Sequence, residues 1–399
     1  MQKFDVVIIG AGVVGLGTAY RLLQKSPGIS VALLEKDARV AMQQSTHNSG
    51  VLHCGLYYKP GSQKAQLSVS GLRQMVEFCQ EHHIAHEVCG KIVVATEPEE
   101  LPRLDELERR GKLNGLVGVR RLDPAGLREI EPHANGLAAL HVPQEGIVDY
   151  RGVADALAKE IERLGGVVCV KTRVIKMMPE IGSQTIITSS GDFVAKRVIN
   201  CGGLHSDRLA AMSGGEEEAR IVPFRGEYFK LRPERQSLVK HLIYPVPDPS
   251  FPFLGVHFTR LIHGGIEAGP NAILATAREG YRKRDIHLGD LAEQLTYAGL
   301  WKFIAKYPKT TFFEVWRSLN KQVFCRSLQK LVPDVRVEDL VPGGAGVRAQ
   351  AMRRDGSLVD DFVFQQRNGV LNVINAPSPA ATASLAIGQR IVEELATLG

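Results

Sequence analysis

No apolar run in the sequence reaches the roughly 18 residues that a membrane-crossing helix needs. Nor is there any C-x-x-C pair. Cys54, Cys79, Cys89, Cys169, Cys201 and Cys325 are scattered, which argues against a disulfide framework or a zinc site and for reduced thiols. No block of Lys and Arg is interleaved with aromatics, so no nucleic-acid partner is expected. Only Lys3 precedes the apolar residues 6–9, and these lead into glycines, not a small-residue cleavage site. Without that signal a cytoplasmic location is expected. The net charge is a modest +6 over 399 residues. It suits an anionic substrate or an acidic membrane surface, and equally an ordinary soluble protein.

What the chain does have begins at its N-terminus. Residues 5–9 are an apolar run of the kind found in buried parallel strands. Gly10-Ala11-Gly12-Val13-Val14-Gly15 follows at once, then a helical pattern through Ala19, Leu22 and Leu23 that Pro27-Gly28 breaks. A second apolar strand, residues 31–34, ends at Glu35, with Lys36 next to it. Each part has a physical role. Gly10 permits a tight turn, Gly12 lets backbone approach a pyrophosphate, and Gly15 allows close helix–strand packing. The helix N-terminus attracts phosphate, and Glu35 can accept hydrogen bonds from a ribose diol. The strand–turn–helix–strand–acid context is what makes this a dinucleotide site.

Three distant segments resemble flavin-contacting segments of the superfamily of D-amino-acid oxidase and glycine oxidase. The first is the polar loop Ser45-Thr46-His47-Asn48-Ser49-Gly50-Val51-Leu52-His53-Cys54-Gly55. The second is residues 167–170 with Thr172-Arg173-Val174, followed by the strand-end turn at Cys201-Gly202-Gly203. The third is Pro377-Ser378-Pro379-Ala380-Ala381-Thr382, which leads into a last helix with a buried stripe at Leu385, Ile391, Val392 and Leu395. The positive end of such a helix would stabilise negative charge on a reduced flavin.

Several runs are similar to those of the L-2-hydroxyglutarate oxidase/dehydrogenase family, within the superfamily of D-amino-acid oxidase and glycine oxidase. They are His47–His53, Pro223-Phe224-Arg225-Gly226-Glu227-Tyr228-Phe229, the run from His241 to Pro249, residues 253–260, Gly269-Pro270-Asn271-Ala272, Arg278-Glu279-Gly280-Tyr281, Ala345-Gly346-Val347-Arg348-Ala349-Gln350 and the Pro-Ser-Pro segment. The resemblance spans residues 10 to about 382, in the family's order. It implies non-covalent FAD and oxidation of L-2-hydroxyglutarate to 2-oxoglutarate, with electrons passing to oxygen or a membrane quinone. A related flavoenzyme of glycerol 3-phosphate or an amino acid is the alternative. The resemblance also places the loop residues 46–50, Val174, the Cys201–Gly203 turn, Gly346 and residues 379–382 around the cofactor.

The implied fold is α/β, α+β overall: a Rossmann-like FAD-binding domain with a discontinuous substrate domain on a mixed or antiparallel sheet. We expect residues 1–85, 145–215 and 340–399 in the first and 86–144 and 216–339 in the second. Residues 91–96, 221–231 and 254–259 should be strands of the second. Residues 97–110 should be an exposed charged helix, and Glu216–Glu218 a solvated loop.

Oxidising a 2-hydroxy acid calls for a base and for cationic carboxylate clamps. His53 is the first candidate base because it follows the flavin loop, and His257 is the second. His47 is more simply a flavin or structural contact. Arg348, in Ala-Gly-Val-Arg, resembles the carboxylate-binding arginine of glycine oxidase. Arg225, Arg260 and Arg278 compete for the distal carboxylate of a dicarboxylate substrate, with Tyr244 as a further donor. Both tryptophans, Trp301 and Trp316, fall in the most aromatic and basic stretch, residues 301–331. There Phe312, Val315, Trp316, Leu319 and Val323 recur at helical spacing beside Lys309, Arg317 and Lys321. A packed helix with a solvated basic face explains this; peripheral docking on anionic lipid is the other reading.

Overall fold

In a computed structural model, residues 1–214, 218–248 and 253–396 are described. Pro249 of one family-like run, and Glu216 and Glu217 of the acid run, lie outside them.

The apolar N-terminal run becomes the strand Gln2–Ile9, which has Phe193–Asn200 on one side and Val31–Leu34 on the other, both parallel. The register sets Ile9 beside both Asn200 and Leu34. Three strands therefore end level, and Gly10, Glu35 and Cys201 leave the sheet side by side. Open parallel sheets bind ligands at this carboxyl edge. The order of the eight-stranded sheet continues through Val167–Cys169 at one edge and the hairpin of Val174–Glu180 with Ser183–Thr188 at the other; Val370–Asn375 also pairs with Phe193–Asn200 and carries Val363–Arg367. The helix Val13–Lys25 packs against the C-terminal helix Ser384–Ala396.

A second sheet of nine strands is antiparallel except where Leu242–Pro245 runs parallel to Lys91–Ala95. Its longest pairing joins Ala219–Leu231 to Leu340–Arg353. That pairing moves residues 340–353, assigned from sequence to the cofactor domain, onto the second sheet. Their backbone groups bond along Ala219–Leu231, a partner that the local pattern does not reveal. Lys91–Ala95 and Ala219–Leu231 match the expected strands within two residues, whereas residues 254–256 stay outside the strand His257–Arg260. The charged helix is present as Leu101–Leu113 after a 3-10 turn.

A small third sheet decides the site. Val51–Leu52 pairs antiparallel with Gly146–Val148, Val51 opposite Ile147 and Leu52 opposite Gly146. Continuing that register sets His53 opposite Glu145.

Candidate functional site: a cavity between the two sheets

One cavity of about 1200 Å³ runs from the carboxyl edge of the first sheet to the face of the second. A single small-ligand site typically measures roughly 300–1,000 Å³, so there is room for a dinucleotide and a small substrate.

The floor is largely backbone. Gly10 has φ +101°, and a Cβ on it would lie 2.5 Å from the Cys201 carbonyl oxygen. A Cβ on Gly15 would lie 1.9 Å from the Gly10 carbonyl oxygen, so Gly15 serves packing and does not line the cavity. Gly12 does line it, at the start of the helix Val13–Lys25. Glu35 is buried; its carboxylate accepts from the N–H groups of Ala11 and Asp37 at 2.9 Å each. Burial raises its pKa, and two lone pairs remain for a further donor. Lys36 reaches the cavity but is paired with Asp37 and Glu279. Val174, Cys201, Gly202, Gly203 and residues 379–382 complete the lining.

The polar loop contributes less than its composition suggests. Ser45, His47, Asn48, Ser49 and His53 line the cavity; Thr46 and Gly50 do not. The Thr46 hydroxyl donates to the Ala41 carbonyl and accepts from Arg151. Asn48 donates to the carbonyls of Gln44 and Ser45 and accepts from Gly50 N–H. Short polar side chains commonly bond to nearby backbone in this way, so Thr46, Asn48 and Gly50 shape the loop. The Thr382 hydroxyl is also internal: it bonds His53 N–H, Tyr150 and the Val51 carbonyl. Gly346 lines the cavity where its strand crosses the loop, 2.3 Å from the His47 carbonyl oxygen to an ideal Cβ.

The roof belongs to the second sheet and is made of side chains: Tyr228, Tyr244, His257 and Arg348. Three of the four candidate arginines turn away from it. Arg225 donates to the Arg282 carbonyl and pairs with Glu227 at 3.2 Å. Arg260 pairs with Glu87 at 2.5 Å, and Arg278 with Asp207 and Glu293. None of the three lines the cavity, and each already has its carboxylate. Among the described residues Arg348 has no carboxylate partner. Its guanidinium faces the Phe253 ring at 5.4 Å and donates only a long bond, 3.4 Å, to the Asn271 carbonyl.

The two histidines differ. His257 is buried and stacked on Tyr244 at 3.8 Å, and its Nδ1–H donates to the Gly255 carbonyl at 2.8 Å. Burial pushes its pKa down to about 3, the Gly255 bond opposing and the charges of Arg348, His53 and Lys91 adding to the fall. His53 has its Nδ1 3.2 Å from Glu145 Oε2. A carboxylate only accepts, so Nδ1 carries a proton, and in the neutral ring Nε2 then offers a lone pair. Glu145 is fully buried, and its other oxygen lies 2.9 Å from the equally buried Lys91 ammonium. Burial alone would raise the Glu145 pKa, but Lys91 and His53 outweigh it and hold the carboxylate well below its usual range.

A family model described as FAD dependent oxidoreductase matches residues 5–394. An L-2-hydroxyglutarate dehydrogenase of Indibacter alkaliphilus is 50% identical over 98% of both chains. The chain belongs to the L-2-hydroxyglutarate dehydrogenase family of FAD-dependent oxidoreductases. The Escherichia coli K12 member is 44% identical over 99% of this chain and 94% of its own, and the human mitochondrial member 43% over 99% and 89%. Among solved structures, an L-α-glycerophosphate oxidase from Mycoplasma pneumoniae with FAD bound superposes with TM-score 0.80 at 21% identity, covering 99% of this chain and 95% of its own. A glycine oxidase from Geobacillus kaustophilus gives 0.72 at 20%, with the same coverage. These two share the fold.

As a member of this family the chain is an FAD flavoprotein, and the floor fits that cofactor: a side-chain-free approach at Gly12, a helix start behind it, and a buried acid at the end of the second strand. The residues that sequence reasoning missed are Lys91, Glu145, Tyr57 and Tyr150. No motif marks them. Lys91 opens an apolar strand, and Glu145 sits in an ordinary Pro143-Gln144-Glu145-Gly146 turn; only the third sheet's register brings Glu145 to His53.

Proposed function

We propose that the chain oxidises L-2-hydroxyglutarate to 2-oxoglutarate, with Arg348 holding a substrate carboxylate and His53 Nε2 taking the hydroxyl proton. The observation that carries this reading is an arginine with no carboxylate partner among the described residues, lining the same cavity as a histidine whose Nδ1 faces the buried Glu145 carboxylate. Bound FAD supplies the hydride acceptor. Arg348 offers a planar fork that matches a carboxylate and so fixes the substrate's orientation. His53 is ready to accept because Glu145 binds its other nitrogen. His257, neutral and stacked, offers an acceptor lone pair and shape. The cofactor is read as non-covalent: Cys54, next to His53, points its thiol at Glu145 and does not line the cavity. Mixing the purified protein with L-2-hydroxyglutarate without oxygen should bleach the flavin, and acid should release FAD. Bleaching by glycerol 3-phosphate or an amino acid, and not by the hydroxy acid, would replace the substrate assignment.

A second reading concerns where the electrons go. No helix among the described residues is long and apolar enough to cross a membrane. The helical pattern at residues 312–323 is broken at Asn320, which caps a new helix; Val323 lies on that one and is buried. The helix Pro308–Leu319 is inverted. Phe312, Val315, Trp316 and Leu319 are exposed, while Glu314 and Arg317 are buried. Trp301, Lys302, Lys306 and Lys309 are exposed beside it. An outward apolar stripe with lysines fits an anionic lipid surface, hence reoxidation by a membrane quinone. Flotation with anionic liposomes tests it; Trp316→Ser with Lys309→Glu should abolish flotation. Unchanged flotation and quinone reduction in the variant would make the segment structural and the acceptor reached some other way; flotation of neither protein would leave oxygen as the acceptor to pursue.

A further inference from the structure

The Glu145 carboxylate is asymmetric in its surroundings. Its Oε1 accepts from Cys54 N–H and the Cys54 thiol at 3.2 Å each and lies 2.9 Å from Lys91 Nζ. Its Oε2 has His53 Nδ1 at 3.2 Å. Lys91 is itself enclosed, with the Tyr57 ring at 4.5 Å and the Tyr244 ring at 4.8 Å from its Nζ. A buried anion without a partner would be costly, and so would a buried cation. Here the two stand together, and the surplus carboxylate oxygen is left for the histidine.

We propose that Glu145, held by Lys91, is a positioning residue that fixes His53 in the tautomer with Nδ1 protonated and Nε2 free. This rests on the reading of His53 as the base. The arrangement does three things. It orients the imidazole toward the cavity. It decides which nitrogen is bare. It also keeps the carboxylate ionised, since Lys91 balances its charge in a place that water does not reach. Lys91 takes no part at the substrate: its ammonium lies behind the tyrosine rings and does not line the cavity.

Glu145→Gln tests this directly. The two Cys54 donors on Oε1, with the Lys91 ammonium beside them, would claim the Gln carbonyl and turn its amide N–H₂ toward His53. His53 Nδ1 would then have to accept, which puts the ring proton on Nε2, the wrong tautomer for a base. The rate constant of anaerobic flavin reduction should fall about 10²- to 10⁴-fold, the range seen when an orienting carboxylate behind a histidine base is made an amide. The substrate dissociation constant, read from the saturation of that rate, should change by no more than about twofold. A merely structural role would move FAD content and substrate binding as well. Because Glu145→Gln leaves Lys91 without its anion, Glu145→Gln with Lys91→Met removes both charges at similar volume; it too should hold FAD and reduce slowly. Glu145→Gln combined with His53→Ala should be no slower than His53→Ala alone, since both remove one function. Near-wild-type reduction in either Gln variant, multiplying effects with His53→Ala, or loss of FAD from both Gln variants would overturn the proposal. If His53→Ala alone leaves reduction unchanged, the base assignment falls and the proposal with it. If His53→Ala slows reduction and Glu145→Gln does not, only the role of Glu145 falls.

Discussion

The floor and the roof of the cavity are built by different means. On the floor, strand ends and helix starts bring backbone to the cofactor, and side chains are kept small: Gly10, Gly12, Gly202, Gly203, Ala380 and Ala381. On the roof, Tyr228, Tyr244, His257 and Arg348 reach down from separate strands. Backbone N–H groups and helix ends recognise the pyrophosphate that dinucleotides share, so the floor is the cofactor's half of the cavity. Side chains on independent strands can be exchanged one at a time without disturbing it, so the proposed function assigns substrate recognition to the roof.

The division can be broken most severely from the floor. Gly12→Val puts a branched side chain where the pyrophosphate must approach, with Ser45 Oγ only 3.1 Å from the Cβ position. The expected product is folded, colourless apoprotein, checked by absorbance and circular dichroism. A yellow Gly12→Val protein would show that the floor tolerates side chains.

The next largest effect comes from His53, where floor and roof meet. His53→Ala should slow anaerobic flavin reduction by about 10²-fold or more, the usual scale of general base catalysis, while FAD stays bound. Arg348→Lys, on the roof alone, should act on binding. Losing a forked, charge-assisted hydrogen bond costs roughly 1.5–3 kcal/mol, so KM should rise about 10- to 100-fold with FAD content unchanged. Lost flavin in either variant would mean that the two halves are not separable.

The same division explains how much of the site could be read from the sequence. The floor is contiguous: Gly10 to Gly15 and then Glu35 state a mechanism in one stretch, because a strand, a turn and a helix are local objects. Roof residues come from separate segments. Arg348 alone sits in a local motif, Ala-Gly-Val-Arg, that resembles a carboxylate clamp, whereas Arg225, Arg260 and Arg278 are alike in sequence as cations beside family-like runs. Those three are kept out of the cavity by the carboxylates they meet: Glu87 and Asp207 come to Arg260 and Arg278 from other segments, whereas Glu227 lies two residues from Arg225 on its own strand. The family resemblance places Thr46 and Asn48 around the cofactor; Asn48 does line the cavity, but Thr46 does not, and both side chains are bonded to nearby backbone. Glu145 was invisible for a related reason. Its partner lies 92 residues away, and the two-residue strand that aligns them has no periodicity to detect.

The smallest expected effect sharpens the contrast between the two histidines. His257 is held neutral, its pKa pushed by burial to about 3, whereas an unfolded chain's histidine titrates near 6.5. Between those values the unfolded chain binds a proton that the folded one refuses, so stability falls as pH drops. The contribution is complete above about pH 6.5 and erodes continuously down to about 3. By pH 5 the loss amounts to roughly 2 kcal/mol. His257→Gln can still donate to the Gly255 carbonyl but cannot be protonated. Its Tm should therefore fall less than that of the wild type between pH 7 and pH 5, by a few degrees at most for a chain of this size. Thermal melts across that range provide the check. Parallel curves for the two proteins would mean that His257 takes up its proton in the folded state, and it would then return as a rival to His53 for the role of base.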